Sequence, residues 1–210
     1  MKKFISGFLV VIMLLSVVLL SGCSDNVASN KDEAEDALLV YLSTLSGFNL
    51  NAMKECVEGE DEDDVGFPTE SFSYDYVQTS TYKIRVKDMY RALSNTIKVT
   101  IDSSVEQDDG KVAFDITLKH ADVEEEAMTA YTNSKVDEYI EQNPHFFALN
   151  EVQQNDTAMT VIANAYEEYL QITEKLEKKF KIVMSKESGE WKIHTKDNKE
   201  FFDFLAELFG

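Results

Sequence analysis

Two cysteines, Cys23 and Cys56, are the residues of this 210-residue chain best suited by type to covalent chemistry, because a thiolate is both a nucleophile and a ligand. Cys23 closes the run Leu20-Ser21-Gly22-Cys23, behind Lys2, Lys3 and an apolar stretch from Phe4 to Leu20. A basic start, an apolar middle and small residues before a cut make an export signal, which leaves before the fold is considered. Cys56 sits with Met53 and Val57 in a short helical pattern and reads as a buried structural thiol, with a reactive or intermolecular thiol as the other reading. Glu55 and Glu58 beside it are expected to raise its pKa.

Other residue types invite chemistry less well. The acidic run from Glu58 to Asp64 offers carboxylate oxygens of the kind calcium takes. Set as an EF-hand loop from Asp61, it places Asp63 and Gly66 correctly but puts Val65 and Phe72 where oxygen ligands are needed. It reads as a solvated loop, with weak calcium binding as the alternative. His120, His145 and His194 lack any metal-ligand spacing. Asp115 is the carboxylate a catalytic reading would examine, but it shares a strand face with Thr117 and Lys119, the solvated side. There is no glycine-rich phosphate loop, no nucleophile elbow and no Cys-His pair. No catalytic residue, metal or cofactor is therefore assigned. The aromatics Phe67, Phe72, Tyr74 and Tyr76, next to the acidic run, form a possible partner surface or else cap the core from outside.

The leader resembles bacterial lipoprotein signal peptides, whose lipobox runs Leu, a small residue, Gly or Ala, then Cys; Leu20, Ser21, Gly22 and Cys23 match at all four positions. The resemblance implies cleavage between Gly22 and Cys23, a diacylglyceryl thioether on Cys23, and a new amine open to acylation. It makes residues 1–22 a removed signal peptide and residues 23–30 a lipidated cysteine with a short tether. The competing reading is an uncleaved anchor, since about 20 apolar residues can span a bilayer; Ser6, Gly7, Ser16, Ser21 and Gly22 dilute the run. Either reading attaches the domain to the cell membrane on its extracytoplasmic face. With Cys23 lipidated, Cys56 stands alone and no intramolecular disulfide can form.

The rest of the chain is long enough for one domain with a real core, and 44% hydrophobic and 11% aromatic residues exclude a disordered chain. The formal net charge is −19, and it grows more negative by two once Lys2 and Lys3 leave. That sign argues against nucleic acid, which is bound by neutralising phosphates with Lys and Arg, and against a domain lying flat on anionic lipid. A partner among envelope proteins or small ligands is the expectation.

The elements that must position these residues follow from periodicity. Helices are predicted over Lys31 to Leu45, Asn49 to Val57 and Thr79 to Ser94. A period-2 run of Ile97, Val99, Ile101, Ser103 and Val105, an Asp109-Gly110 turn, and Val112, Phe114, Ile116 and Leu118 predict a hairpin. Helices return from Asp122 to Gln142, stopped by Asn143-Pro144, and from Glu151 to Lys178. A second hairpin turns at Ser188-Gly189, and a final helix from Asp197 to Phe209 carries Asp197 and Glu200 at capping-box spacing. This is an α+β domain over 31–210. It has an antiparallel sheet of about four strands in two hairpins packed against helices, a helical insertion at 122–178, and a C-terminal helix.

The leading helices, the strand Ile97 to Val105, the Asp-Gly turn, the helical insert, and Gly189-Glu190-Trp191-Lys192-Ile193 before an aromatic helix resemble small Gram-positive lipoproteins of the nuclear transport factor 2-like, or cystatin-like, superfamily. That resemblance implies a cone-shaped cavity, in which some members hold a catalytic carboxylate or histidine; it transfers no residue here. The reading is a lipid-anchored extracytoplasmic domain with a non-catalytic binding role. The alternative is a small-molecule carrier or an enzyme built in such a cone.

Overall fold

The computed structural model describes residues 29–58 and 80–209; Gly22, Cys23, Phe67, Phe72, Tyr74, Tyr76 and the acidic run beyond Glu58 lie outside them. The first helix, α1 (Asn30–Ser46), starts at a capping box: the Ser29 hydroxyl accepts from the Asp32 N–H while the Asp32 carboxylate accepts from the Ser29 N–H. Ala34, Leu38, Tyr41, Leu42 and Leu45 recur at helical spacing and are buried. Phe48 follows with a left-handed backbone, φ 51°, a costly conformation for a bulky residue, and stacks on Tyr90 and Phe209. Helix α2 (Leu50–Cys56), capped by Asn49, runs into a two-residue strand, β1 (Val57–Glu58).

Helix α3 (Ser80–Thr96) leads to β2 (Lys98–Glu106) and β3 (Val112–Ala121). Val112, Phe114, Ile116 and Leu118 alternate into the core with no exposure, as their period requires. Beyond β3 come α4 (Glu125–Gln142), a 3-10 turn at Pro144–Ala148, and α5 (Glu151–Ile172), which packs against both α3 and α4. Strand β4 (Lys175–Glu187), strand β5 (Glu190–His194) and helix α6 (Lys199–Phe209) complete the chain. Positive φ at Ser188 and Gly189 gives the two-residue β4–β5 turn the handedness that matches strand twist.

Four features differ from the expectations. The sheet has five strands in the order β1-β5-β4-β3-β2, and β1 pairs parallel with β5 through Val57↔Ile193 and Glu58↔His194. Two residues are too few to show a period, and they follow directly on a helical pattern. Secondly, α5 ends at Ile172 and not Lys178. The β3 backbone as far as Ala121 needs partners, and β4 supplies them from Lys175. Thr173 seals the corner by donating its hydroxyl to the Asp122 carbonyl, while the Asp122 N–H donates to Glu174 O. The helical insertion therefore closes by Glu174.

Thirdly, a bulge at Asp102 shifts the β2 register between Ile101 and Ser103. It turns Ser103 and Val105, both expected inside, toward solvent; Val105 is 60% exposed. Lastly, no Asp197–Glu200 capping box forms. Asp197 pairs with Lys111, and it is Asn198 that precedes α6, its carbonyl accepting from Phe201 and Phe202 N–H.

One face of the sheet is covered by α1, which touches β2, β3 and β5, and by α6, which touches β4. The other face is polar and open. Asp115 is exposed on it, accepting from the Ser103 hydroxyl at 2.7 Å, while Asp102 accepts from Thr117 at 2.6 Å. Asp115 thus sits on the solvated side, where its alternation placed it.

Candidate binding surfaces

A ligand-holding cone would use the covered face of the sheet, and that face is filled. Phe114 and Ile116 of β3 and Phe180, Ile182 and Met184 of β4 meet Phe201, Phe204 and Leu205 of α6, all buried. The ring of Phe180 lies 5.3 Å from Phe201 and 5.1 Å from Phe204, centroid to centroid, and Phe201 meets Tyr41 edge-on at 6.2 Å. Such pairs add to the area term of burial. The sequence could place the aromatics on one face of α6 because they recur at helical spacing.

His120 belongs to this core. Its ring packs edge-on against Phe204 at 5.1 Å, and its Nδ1 lies 2.8 Å from the Ala121 carbonyl. A carbonyl only accepts, so Nδ1 carries the proton. His194 ends β5, with Nε2 3.6 Å from Glu187 Oε1, and His145 lies in the 3-10 turn. The three histidines are not brought together, and among the described residues no cluster of three or more His, Cys, Asp or Glu could hold a metal ion.

Concavity lies outside the sheet core. A groove of about 500 Å³ runs between α4 and α5, lined by Lys135, Glu138, Tyr139, Gln142, Thr160 and Glu168 among others. Lys135 sits between Glu138 at 3.6 Å and Glu168 at 3.8 Å, with its ammonium 5.6 Å from the Tyr131 ring centre. Tyr131, then Glu138 and Glu168, hold Lys135 above the usual lysine pKa, so it is a fixed cation. Tyr131 donates to Glu168 at 3.3 Å. The groove thus offers hydroxyls, amides, a paired charge and the half-buried Tyr139. The sequence signal for this wall is that Tyr131, Lys135 and Glu138 stand at i, i+4 and i+7, one continuous stripe.

A second, wider hollow of about 620 Å³ lies where α1, α2 and β5 meet, lined by Val40, Cys56, Trp191 and Lys192. Trp191 donates its indole N–H to Glu33 at 3.3 Å, and Lys186 pairs with the same carboxylate at 2.6 Å. Cys56 is half-buried there. Burial is what chiefly pushes its thiol pKa up, with Lys192 opposing and Glu55 adding the smaller push expected of it. Among the described residues no helix is long and apolar enough to cross a membrane.

A five-stranded mixed sheet with one helix-covered face and a helical insertion between hairpins defines an α+β class that includes a bacterial lipoprotein-like fold. Within it, the crystal structure of YcdA from Bacillus subtilis, provisionally assigned as a lipoprotein, aligns with a TM-score of 0.52 at 13% identity, over 86% of this chain and 56% of that one. At that identity the likeness is one of fold, and this chain spans little more than half the neighbour's length. No family model matches the sequence, and neither does any curated protein.

Proposed function

We propose that this is an extracytoplasmic lipoprotein, cleaved before Cys23 and held to the membrane by lipid on that residue, whose domain binds other molecules at its surface without transforming them. The observation that carries the binding reading is the filled core: the face that a cone would hollow out is occupied by Phe201, Phe204 and Leu205, each at most 7% exposed. Space for a ligand is left on the helical insertion. The α4–α5 groove combines tyrosine, amide, hydroxyl and carboxylate groups, the chemistry that holds a neutral, hydroxyl-rich molecule such as a cell-wall glycan fragment. The four-position lipobox match and the lipoprotein-like fold support the anchor. Descent from the nuclear transport factor 2-like superfamily is part of the same proposal, supported by the order of helices and hairpins.

The test is a thermal-shift screen of the purified protein against glycan fragments, sugars, lipids, peptides and metal ions, because a ligand that binds the native state raises its melting temperature by mass action. A glycan fragment should raise it, and Glu168→Gln or Tyr139→Phe, which keeps the ring packed on Phe146, should diminish the rise while leaving the ligand-free melting temperature nearly unchanged. A rise left undiminished by both substitutions would refute the groove as the site.

A further inference from the structure

Strand β4 is longer than the strand that follows it. It pairs with β3 from Lys175 to Met184, whereas β5 reaches back only over Met184 to Glu187. From Lys175 to Lys181 no strand lies on the β5 side of β4 among the described residues. Asn198 shows which backbone groups face that side, because its amide takes the N–H and the C=O of Val183 there. The N–H and C=O of one residue point the same way, and the direction alternates along a strand. Those of Lys175, Glu177, Lys179 and Lys181 therefore point to the open edge, while those of Leu176, Lys178, Phe180 and Ile182 point to β3. Lys175 to Lys179 and Lys181 are all exposed. The result is an unpaired edge of about 20 Å at the usual rise per residue, a template on which another strand can form its ladder.

We infer that this edge receives an extended, acidic segment of a partner protein, which joins the sheet as a strand beside β4. Main-chain bonds supply the affinity of such an addition, and alternate side chains supply its specificity. Between Lys175 and Lys181 the strand carries four lysines and one glutamate, and Glu177 is drawn away toward β3 by its pair with Lys119. Lys179 stands opposite Thr117, and Lys181 opposite Asp115, which the Ser103 hydroxyl already engages. The other acids of the sheet lie away from this edge: Asp102 on β2, Glu187 and Glu190 at the β4–β5 turn, and Glu58 beyond β5. On the opposite side of the strand Leu176 is 43% exposed, and the Lys178 ammonium lies 5.4 and 4.7 Å from the ring centres of Phe180 and Phe204. A segment that alternates acidic and apolar residues meets both sides at once.

Lysine along an edge ordinarily keeps strands apart, and here it does so selectively. A second β4 laid antiparallel on the first would set Lys175 against Lys181, or Lys179 against its own copy, and like charges directly opposite disfavour each other. A strand of opposite sign removes that penalty and replaces it with attraction. The chain's own β5 does not continue over the edge, because it turns away through the 3-10 turn Thr195–Asp197 and returns as α6 against the covered face.

The purified full-length protein in detergent, titrated into a fluorescent synthetic peptide that alternates glutamate and valine, tests the inference, with a lysine-for-glutamate peptide as control. The glutamate peptide should bind, bind less as salt is raised, and lose about tenfold or more in affinity when Lys179→Glu and Lys181→Glu are combined. Lys179→Pro removes an N–H that faces the open edge and none that bonds β3, so it should weaken binding as much while the domain stays folded. In amide hydrogen exchange the peptide should slow the N–H groups of Glu177, Lys179 and Lys181, whereas those of Phe180 and Ile182 should be slow with or without it. No binding of the glutamate peptide, equal binding of the lysine peptide, or binding that leaves those three amides fast would each overturn the inference. So would slow exchange that follows protein concentration with no peptide present, which marks a second copy on the edge.

Discussion

Tyr41 is fully buried against Phe201, and its hydroxyl has no hydrogen-bond partner among the described residues. Leaving such a group unsatisfied costs about 1–3 kcal/mol, so Tyr41→Phe should stabilise the domain by about 1 kcal/mol in urea unfolding. Burial also pushes the Tyr41 pKa far above its ordinary 10.0, and that of Tyr166 up as well. A raised folded pKa means the stability is fully present below pH 10 and declines above it, as the unfolded chain ionises and the folded one does not. Stability should therefore fall with pH above 10, and less steeply in Tyr41→Phe; an identical slope would remove Tyr41 as the cause. Asn198 could not be recognised from sequence. Its side chain accepts from Val183 N–H at 2.7 Å and donates to the Val183 and His194 carbonyls at 2.8 Å, taking the ladder position that β5 vacates. Only tertiary contact gives an asparagine that role. Asn198→Ala should cost roughly 2–3 kcal/mol by stranding these groups, measured by the same unfolding experiment.

At the scale of elements, periodicity was informative wherever one face meets the core and one meets water. The alternation of Val112 to Leu118 and of Phe180 to Met184 located β3 and β4, and Asn143-Pro144 marked the end of α4. It failed where two periods overlap: Thr173 to Lys179 contains no glycine or proline, and Leu176 fits a helical stripe while belonging to β4, where it is 43% exposed. The demand that decided the matter, unpaired backbone on β3, belongs to a segment more than fifty residues away. The groove was hidden for a related reason, since its two walls come from separate helices. Helix α6 carries Phe201, Phe202, Phe204, Leu205 and Phe209 on its buried face. It docks, and Phe201→Ala should cost about 3–5 kcal/mol, as for other buried phenylalanines. Loss of less than 1 kcal/mol in chemical denaturation would show that α6 contributes little to the fold.

For the whole molecule, composition described charge correctly and its placement not at all. A value of −19 suggests a uniformly acidic body, while register interleaves lysines and acids on the open sheet face, with Asp115 opposite Lys181 and Glu177 opposite Lys119. In the proposed reading the address of the protein rests on four residues, Leu20 to Cys23, because a signal is read as an extended segment by other proteins and needs no fold. A ligand groove has no such local code. Binding at a surface and attachment to a membrane belong together in this account, and the attachment comes first. The decisive measurement is the intact mass of the protein recovered from the membranes of an expressing bacterium, alongside Cys23→Ser. The account predicts a chain beginning at Cys23 and carrying the added mass of a diacylglyceryl group, with the variant retaining the unprocessed leader. A wild-type protein that begins at Met1 with no added lipid would contradict it and make the apolar segment an uncleaved anchor.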